Sequence, residues 1–393
     1  MKALRNFFEK TKPYVQKGAK YHWLHSTHDA FFTLAFTPKT TSKSGSHIHD
    51  NIDLKRTMSF VIIALLPALL FGMYNTGYQH FKAIGELAST GFFTIFLYGL
   101  LKVLPVVIVS YVVGLGIEFV FAQMRGHDVN EGFLVSGMLI PLVMPINTPL
   151  WMVALATAFA VVFGKEVFGG TGMNIWNPAL IARAFLFFAY PAQMSGDKVW
   201  VALKDTDKTI DSFTGATPLA DAAAGNIQFN TFDAFIGLIP GSIGETSTLA
   251  ILIGAAFLII TGIGSWKIMA STVAGGLLMG IILNLFSGVS GLSPAAAAYF
   301  SMPFWHHMII GGFAFGAIFM ATDPVSAAQT ETGKWIYGLL IGITAILFRV
   351  INPAYPEGMM LAILLMNTFA PLIDHYVVES NINRRLKRVK VAA

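Results

Sequence analysis

Apolar runs recur along most of the chain, with polar residues gathered between them and at both ends. Ten runs stand out, near residues 57–74, 92–122, 132–146, 149–164, 178–190, 248–263, 268–286, 305–320, 335–351 and 358–376. Each reads as a membrane helix, since a straight crossing of the hydrocarbon core takes roughly 20 apolar residues. The third, fourth and fifth fall short of that length, and Pro141, Pro145 and Pro149 punctuate them. Short, interrupted helices are tolerated only where protein or a cavity covers the freed backbone groups. The pattern predicts an all-α, multi-pass membrane protein. Its divisions are an arm at 1–56, a first membrane half at 57–190, a long loop at 191–247, a second half at 248–376 and a tail at 377–393.

Composition removes the alternatives. Of the 393 residues 55% are hydrophobic and 12% charged, about half the roughly 25% charged residues of a soluble domain. Mean hydropathy is +0.64. The chain has no cysteine, which removes disulfides, iron–sulfur clusters, thiolate zinc and cysteine nucleophiles. The net charge of +5 is no nucleic-acid signal, because the basic residues sit at the two ends. With the N-terminus inside, 19 Lys and Arg fall on inside segments and 4 on outside segments. That asymmetry predicts that both termini are cytoplasmic. The loop at 191–247 then lies outside; it carries seven acidic residues against three lysines, and a loop this long usually carries function.

The arm shows no apolar stretch near Met1, so no cleavable signal is expected. Its aromatic and basic segments suit short amphipathic helices on the membrane surface. His22, His25 and His28 recur on roughly one helical face; a metal site would need a further ligand, and none keeps the spacing. Two internal echoes suggest an inverted repeat. Asn130-Glu131-Gly132 and Pro356-Glu357-Gly358 each precede a proline thirteen residues beyond the glycine, and Asn177-Pro178-Ala179 echoes Asn352-Pro353-Ala354. The two pairs are offset differently, and Asn and Pro are common helix starters in any case.

The candidate chemistry starts in the outside loop. Asp211-Ser212-Phe213-Thr214-Gly215-Ala216-Thr217 precedes Pro218. From the residues alone, Thr217 can cap a helix that starts at Pro218. The string also looks like the acceptor motif of a flavin transferase, in which the final threonine is esterified by the phosphate of FMN. Further strings point the same way: Lys165 to Gly172, Asn177 to Leu180, Arg183 to Pro191, Ile239 to Glu245, Ala321 to Ser326 and Asn352 to Gly358. From about residue 50 onward the chain resembles the NqrB/RnfD family. That family unites a membrane component of the bacterial sodium-translocating NADH:quinone reductase with its counterpart in the Rnf ferredoxin:NAD oxidoreductase complex. The longer arm favours the quinone-reductase branch.

The resemblance implies ten helices in two inverted five-helix halves, a urea-transporter-like fold. It implies covalent FMN on Thr217, with Asp211, Thr214, Gly215 and Ala216 forming the transferase motif, and a noncovalent riboflavin. Electrons would come from NADH through partner subunits, then pass through FMN and riboflavin to ubiquinone or menaquinone, coupled to sodium export across the bacterial inner membrane. The implied partners are the other members of a six-subunit complex: one that carries NADH, FAD and 2Fe-2S, a second FMN-bearing one and small membrane components. A flavin transferase would mature the chain. The Rnf branch, or a cofactor-free inverted-repeat channel or transporter, is the rival reading, and no nucleic acid is expected.

The resemblance also assigns roles to acids. Asp29, Glu118, Asp323 and Asp374 match positions linked to cytoplasmic sodium uptake, and hard oxygen ligands suit a hard cation. Glu118 lies in an apolar run, where a carboxylate is costly and usually functional, although a glutamate near a helix end can also reach the interface. Asp323 can instead cap a turn before Pro324. Gly114 and Leu115 occupy the place of a family glycine pair near the quinone; only Gly114 keeps the glycine, and it can equally serve helix packing. His306, His307 and His375 are read as interface residues beside Trp305 and Tyr376, ahead of haem ligands.

Overall fold

The structure is a computed structural model of the chain. It describes residues 2–16, 18–36, 42, 44–47, 52–126, 132–203, 214–227, 229–288, 291, 293–352 and 357–391. Every regular element among them is helical. The arm forms α1 (Lys2–Val15) and α2 (His25–Ala35). The bundle opens with α3 (Leu54–Ala83), α4 (Phe92–Arg125), α5 (Phe133–Leu142), α6 (Leu150–Gly164) and α7 (Pro178–Ala189). The long connection carries α8 (Pro191–Met194), α9 (Pro218–Ala223) and α10 (Thr231–Ile236). Next come α11 (Thr248–Ile260), α12 (Trp266–Leu285), α13 (Pro294–Ser301) and α14 (His306–Ile309). Then α15 (Phe313–Phe315) runs into a π-helix at Gly316–Met320, followed by α16 (Glu331–Ile351) and α17 (Met359–Val391).

Among the described residues, six helices are long and apolar enough to cross a membrane: α3, α4, α6 with its short extension to Phe168, α12, α16 and α17. The apolar runs at 132–146, 178–190 and 248–263 form the shorter helices α5, α7 and α11. The run at 305–320 is divided. Gly311 takes a left-handed φ of +64 between α14 and α15, and the π-helix beyond it loosens the hydrogen-bond ladder. Composition alone does not register such a break, because glycine is neutral in an apolar count.

Small residues let the long helices approach. A Cβ added at Gly342 of α16 would strike the main chain of α12 at Thr272 and Gly276, and one at Gly275 would strike Leu339. Backbone contact of this kind is how helices gain dispersion energy in a membrane, where lipid is as apolar as leucine. Gly342→Val should therefore force α12 and α16 apart at a cost of at least about 1–3 kcal/mol, seen as a lower thermal midpoint in detergent.

The echoed motifs do not occupy matching places. Asn177 caps the start of α7, accepting from the Ala179 amide at 2.9 Å. Asn352 instead stands just past the end of α16. Pro353, Ala354, Asn130 and Glu131 lie outside the described residues. Asn177 and Asn352 thus stand at opposite kinds of helix end, one at a start and one just past an end.

Candidate functional site

Thr217 sits where its local sequence puts a helix start. Its Oγ1 accepts from the Ala220 amide at 3.2 Å, and Pro218 opens α9. The residues before it are held tightly. The Ala216 amide donates to Thr214 Oγ1 at 3.2 Å. Gly215 packs so closely on the Asp197 carbonyl that any Cβ would overlap it. Asp211 lies outside the described residues. On α9, burial and the nearby Asp197 carboxylate push Asp221 above the usual carboxylate range.

The ledge around Thr217 is fastened to the bundle. Asn147 Nδ2 donates to the Lys198 and Val201 carbonyls, each at 2.7 Å. His80 Nδ1 and the Tyr98 hydroxyl approach the Ala202 carbonyl at 2.8 and 3.0 Å. Tyr299, fully buried, donates to the Leu219 carbonyl at 3.0 Å. The end of the long loop does not stay outside as a passive connection. Gly244 donates to the Leu142 carbonyl at 2.7 Å, inserting residues 237–247 against the end of α5. Asn75 of α3 holds that insertion by donating to the Ile239 carbonyl at 2.9 Å.

Thr217 lines a cavity of about 230 Å³. Its walls include Phe187, Trp200, Leu219 and Ile239, and Arg183, Ser242, Glu245 and Glu357 supply its charged and polar part. Arg183, on α7, is buried and donates to Ser242 at 2.9 Å, to Glu245 at 3.2 Å, to the Val143 carbonyl and to both carboxylate oxygens of Glu357. These three charged residues belong to the family-like strings, yet their sequence context assigns Arg183, Glu245 and Glu357 no role. The available signal was an ionisable residue at three places in otherwise apolar or glycine-rich segments. A half-exposed hydroxyl at the edge of a cavity with aromatic walls and a buried cation suits a tethered flavin.

A second cavity, of about 100 Å³, lies at the other end of α3. Val61 lines it, whereas Asn75 serves the Thr217 side; fourteen residues of helix separate them by roughly 21 Å. Its polar lining includes Lys165, Asn174, Asn177 and Asp323. Lys165 forms a buried ion pair with Glu118, so Glu118 is paired inside the protein and does not reach the interface. Arg125 and Glu166 pair beside it at 2.9 Å. Asp323 accepts from Ser326 Oγ at 2.7 Å and the Val325 amide at 3.3 Å, which is the turn-capping geometry. Asp374 accepts from the Gln329 and Thr330 amides at 2.7 and 3.0 Å and so secures the start of α16. Asp29 lies on α2, which packs on α4 through Phe31 and Phe119. Glu118 and Asp323 thus border one region through Lys165; Asp374 and Asp29 are not among the residues that line it. Among the described residues no three His, Asp or Glu side chains gather to hold a metal ion; His22, His25 and His28 form no such group.

Gly114 faces the Phe133 ring, which fills the notch left by the missing side chain, while Leu115 packs against the main core. His307 corrects the interface reading: it is fully buried, and neither ring nitrogen has a partner. His306 stays half-exposed, near Thr231 Oγ1 at 3.2 Å, and His375 is exposed.

The family model described as NQR2, RnfD, RnfE matches residues 41–383. The chain belongs to this family. The B subunit of a Na(+)-translocating NADH-quinone reductase from Ectopseudomonas mendocina is 48% identical to it over 412 residues, covering 98% of this chain and 99% of its own. Proteins of the same name from Chromohalobacter salexigens and Pseudomonas aeruginosa are 47% and 46% identical, covering 98% of this chain and 96% and 99% of theirs. The resemblance carried by the motifs and the family match therefore agree over most of the chain.

Proposed function

We propose that this chain is the flavin-bearing membrane subunit of a sodium-translocating NADH:quinone reductase in the bacterial inner membrane. The observation that carries the reading is the Thr217 hydroxyl at the edge of the Arg183 cavity, within a motif that matches a flavin-transferase acceptor. FMN esterified there supplies one-electron chemistry outside the membrane, fed from NADH through partner subunits. Around it, this chain's residues hold the ledge still, exclude water with aromatic walls and supply fixed charge. The Asn174 and Asn177 amides and the Lys165 ammonium of the second cavity are the candidate contacts for one edge of riboflavin, on the way to ubiquinone or menaquinone. The arm on α4 and the Gly114 region border that path. Full-length relatives that carry the name of a sodium-translocating NADH-quinone reductase support this branch over Rnf.

Two inverted halves fit the helix order. The starts of α15, α16 and α17 follow those of α5, α6 and α7 by 180 or 181 residues. The neighbours repeat as well: α4 packs on α6 and α6 on α7, as α12 packs on α16 and α16 on α17. An odd number of crossings in each half would invert one relative to the other, giving ten membrane segments, both termini cytoplasmic and Thr217 periplasmic.

Intact-mass measurement of the purified chain, coexpressed with its complex and a flavin transferase, tests the central point. The expected result is one added FMN phosphoester; a bare polypeptide mass would overturn the flavin reading. For sodium, Glu118→Ala and Asp374→Ala should each raise the sodium needed for half-maximal turnover several-fold. Unchanged sodium dependence in steady-state assays would remove those residues from the uptake path.

A further inference from the structure

One guanidinium lines the Thr217 cavity and a second lies behind its wall, and they are hydrogen-bonded differently. Arg183 lines the cavity and is paired with Glu245 and Glu357. Arg349, in the last turn of α16, is fully buried. Its Nη1 and Nη2 donate to the main-chain carbonyls of His307 at 2.8 Å and Ile310 at 3.2 Å, and its Nε has no partner. Gly311 belongs to the cavity wall together with Leu219, and a Cβ at Gly311 would lie 3.1 Å from Leu219 Cδ2 and 3.4 Å from Arg349 Nη2. Behind it, His307 is buried with both ring nitrogens unpartnered, and Tyr299 stacks on that ring at 6.4 Å.

A buried cation whose hydrogen bonds go only to main-chain carbonyls, with the balancing Glu357 carboxylate beyond hydrogen-bond range, is costly. The cost is offset if negative charge develops nearby, and in a water-poor site a fixed cation acts on such charge through a thin wall. The cavity region holds two guanidiniums and two carboxylates. Removing Arg349 leaves an excess of one negative charge there, and neutralising Glu357 leaves an excess of one positive charge. An electron arriving on a ring in the cavity would feel that difference directly.

We propose that Arg349 is a positioning cation that sets the reduction potential of the flavin on Thr217, acting through the Gly311 wall, with Glu245 and Glu357 as opposing charges. The inference rests on the flavin reading above. The electron comes from a reduced flavin of a partner subunit and leaves toward the quinone. No bond is made or broken on this chain, and Arg349 keeps its protons throughout.

The test is a spectroelectrochemical titration of the purified complex, with the Thr217→Ala complex as the blank that isolates this flavin. In-gel fluorescence is read first on every variant. Arg349→Gln should move the midpoint to more negative potential; a tenfold loss of stabilisation reads as about 59 mV for a one-electron couple. Glu357→Gln should move it the opposite way. Shifts of opposite sign are not what damaged packing produces. If both variants keep the flavin and the midpoint stays put or moves in one common direction, the inference is overturned. If Arg349→Gln alone fails to assemble, the double variant Arg349→Gln/Glu357→Gln, which keeps the local charge balanced, decides: its midpoint should fall back from the Glu357→Gln value toward that of the unaltered complex, and a midpoint equal to that of Glu357→Gln overturns the inference. A dark wild-type band would instead remove the flavin reading itself.

Discussion

Thr217→Ala should give a chain with no flavin fluorescence on a denaturing gel, in a complex whose NADH-driven quinone reduction falls by roughly a hundredfold or more, since an electron carrier is lost rather than detuned. The size of the effect separates chemistry from folding. Thr217 also caps α9, and losing such a cap costs only about 1 kcal/mol at a six-residue helix that Tyr299 holds independently through Leu219. The complex should therefore assemble with a nearly unchanged thermal midpoint. Thr217→Ser keeps both the hydroxyl and the cap, and should recover fluorescence and turnover together. A fluorescent Thr217→Ala band, or a dark but fully active variant, would contradict the assignment.

Arg183→Met should be the most destabilising single substitution near the site. The guanidinium serves two carboxylates, a hydroxyl and a carbonyl in a buried setting. Removing one partner of a buried ion pair costs about 3–5 kcal/mol, because the other charge is stranded. The thermal midpoint of the complex in detergent should drop by several degrees. Adding Glu357→Gln should restore part of the loss, since it removes one stranded charge; neighbours in one network are not additive. A double variant no more stable than Arg183→Met alone would mean that the pair contributes little.

The bundle was legible because lipid imposes a simple rule: backbone groups must be satisfied within helices, and their side chains must be apolar. The runs starting near 57, 92, 268, 335 and 358 became long helices for that reason. Of the three runs read as short, those at 132–146 and 178–190 form short helices, whereas the one at 149–164 continues to Phe168 and reaches spanning length. Three features were not legible. Gly311 and Gly312 read as part of an apolar run, although the left-handed backbone at Gly311 divides it. Residues 237–247 read as loop, yet their amides bond to the end of α5. Arg183 meets Glu245 and Glu357 across 62 and 174 residues of sequence, and spacing along a chain carries no information about such pairings. At the candidate site, the cap geometry of Thr217 was foreseeable from Thr-Pro. The charges around it became visible only once distant segments were brought together.

The fastening of the Thr217 ledge has a consequence for timing. Asn147 and Tyr98 secure the stretch before it, Gly215 is wedged on Asp197, and Tyr299 grips the helix after it. A group attached at such a root is on a short leash whose anchor does not swing. With FMN on Thr217 as proposed, the meeting with the upstream donor is made by travel on the donor's side, so a crosslink that immobilises the neighbouring protein should stall electron entry, whereas one that locks this ledge to its own bundle should leave it untouched.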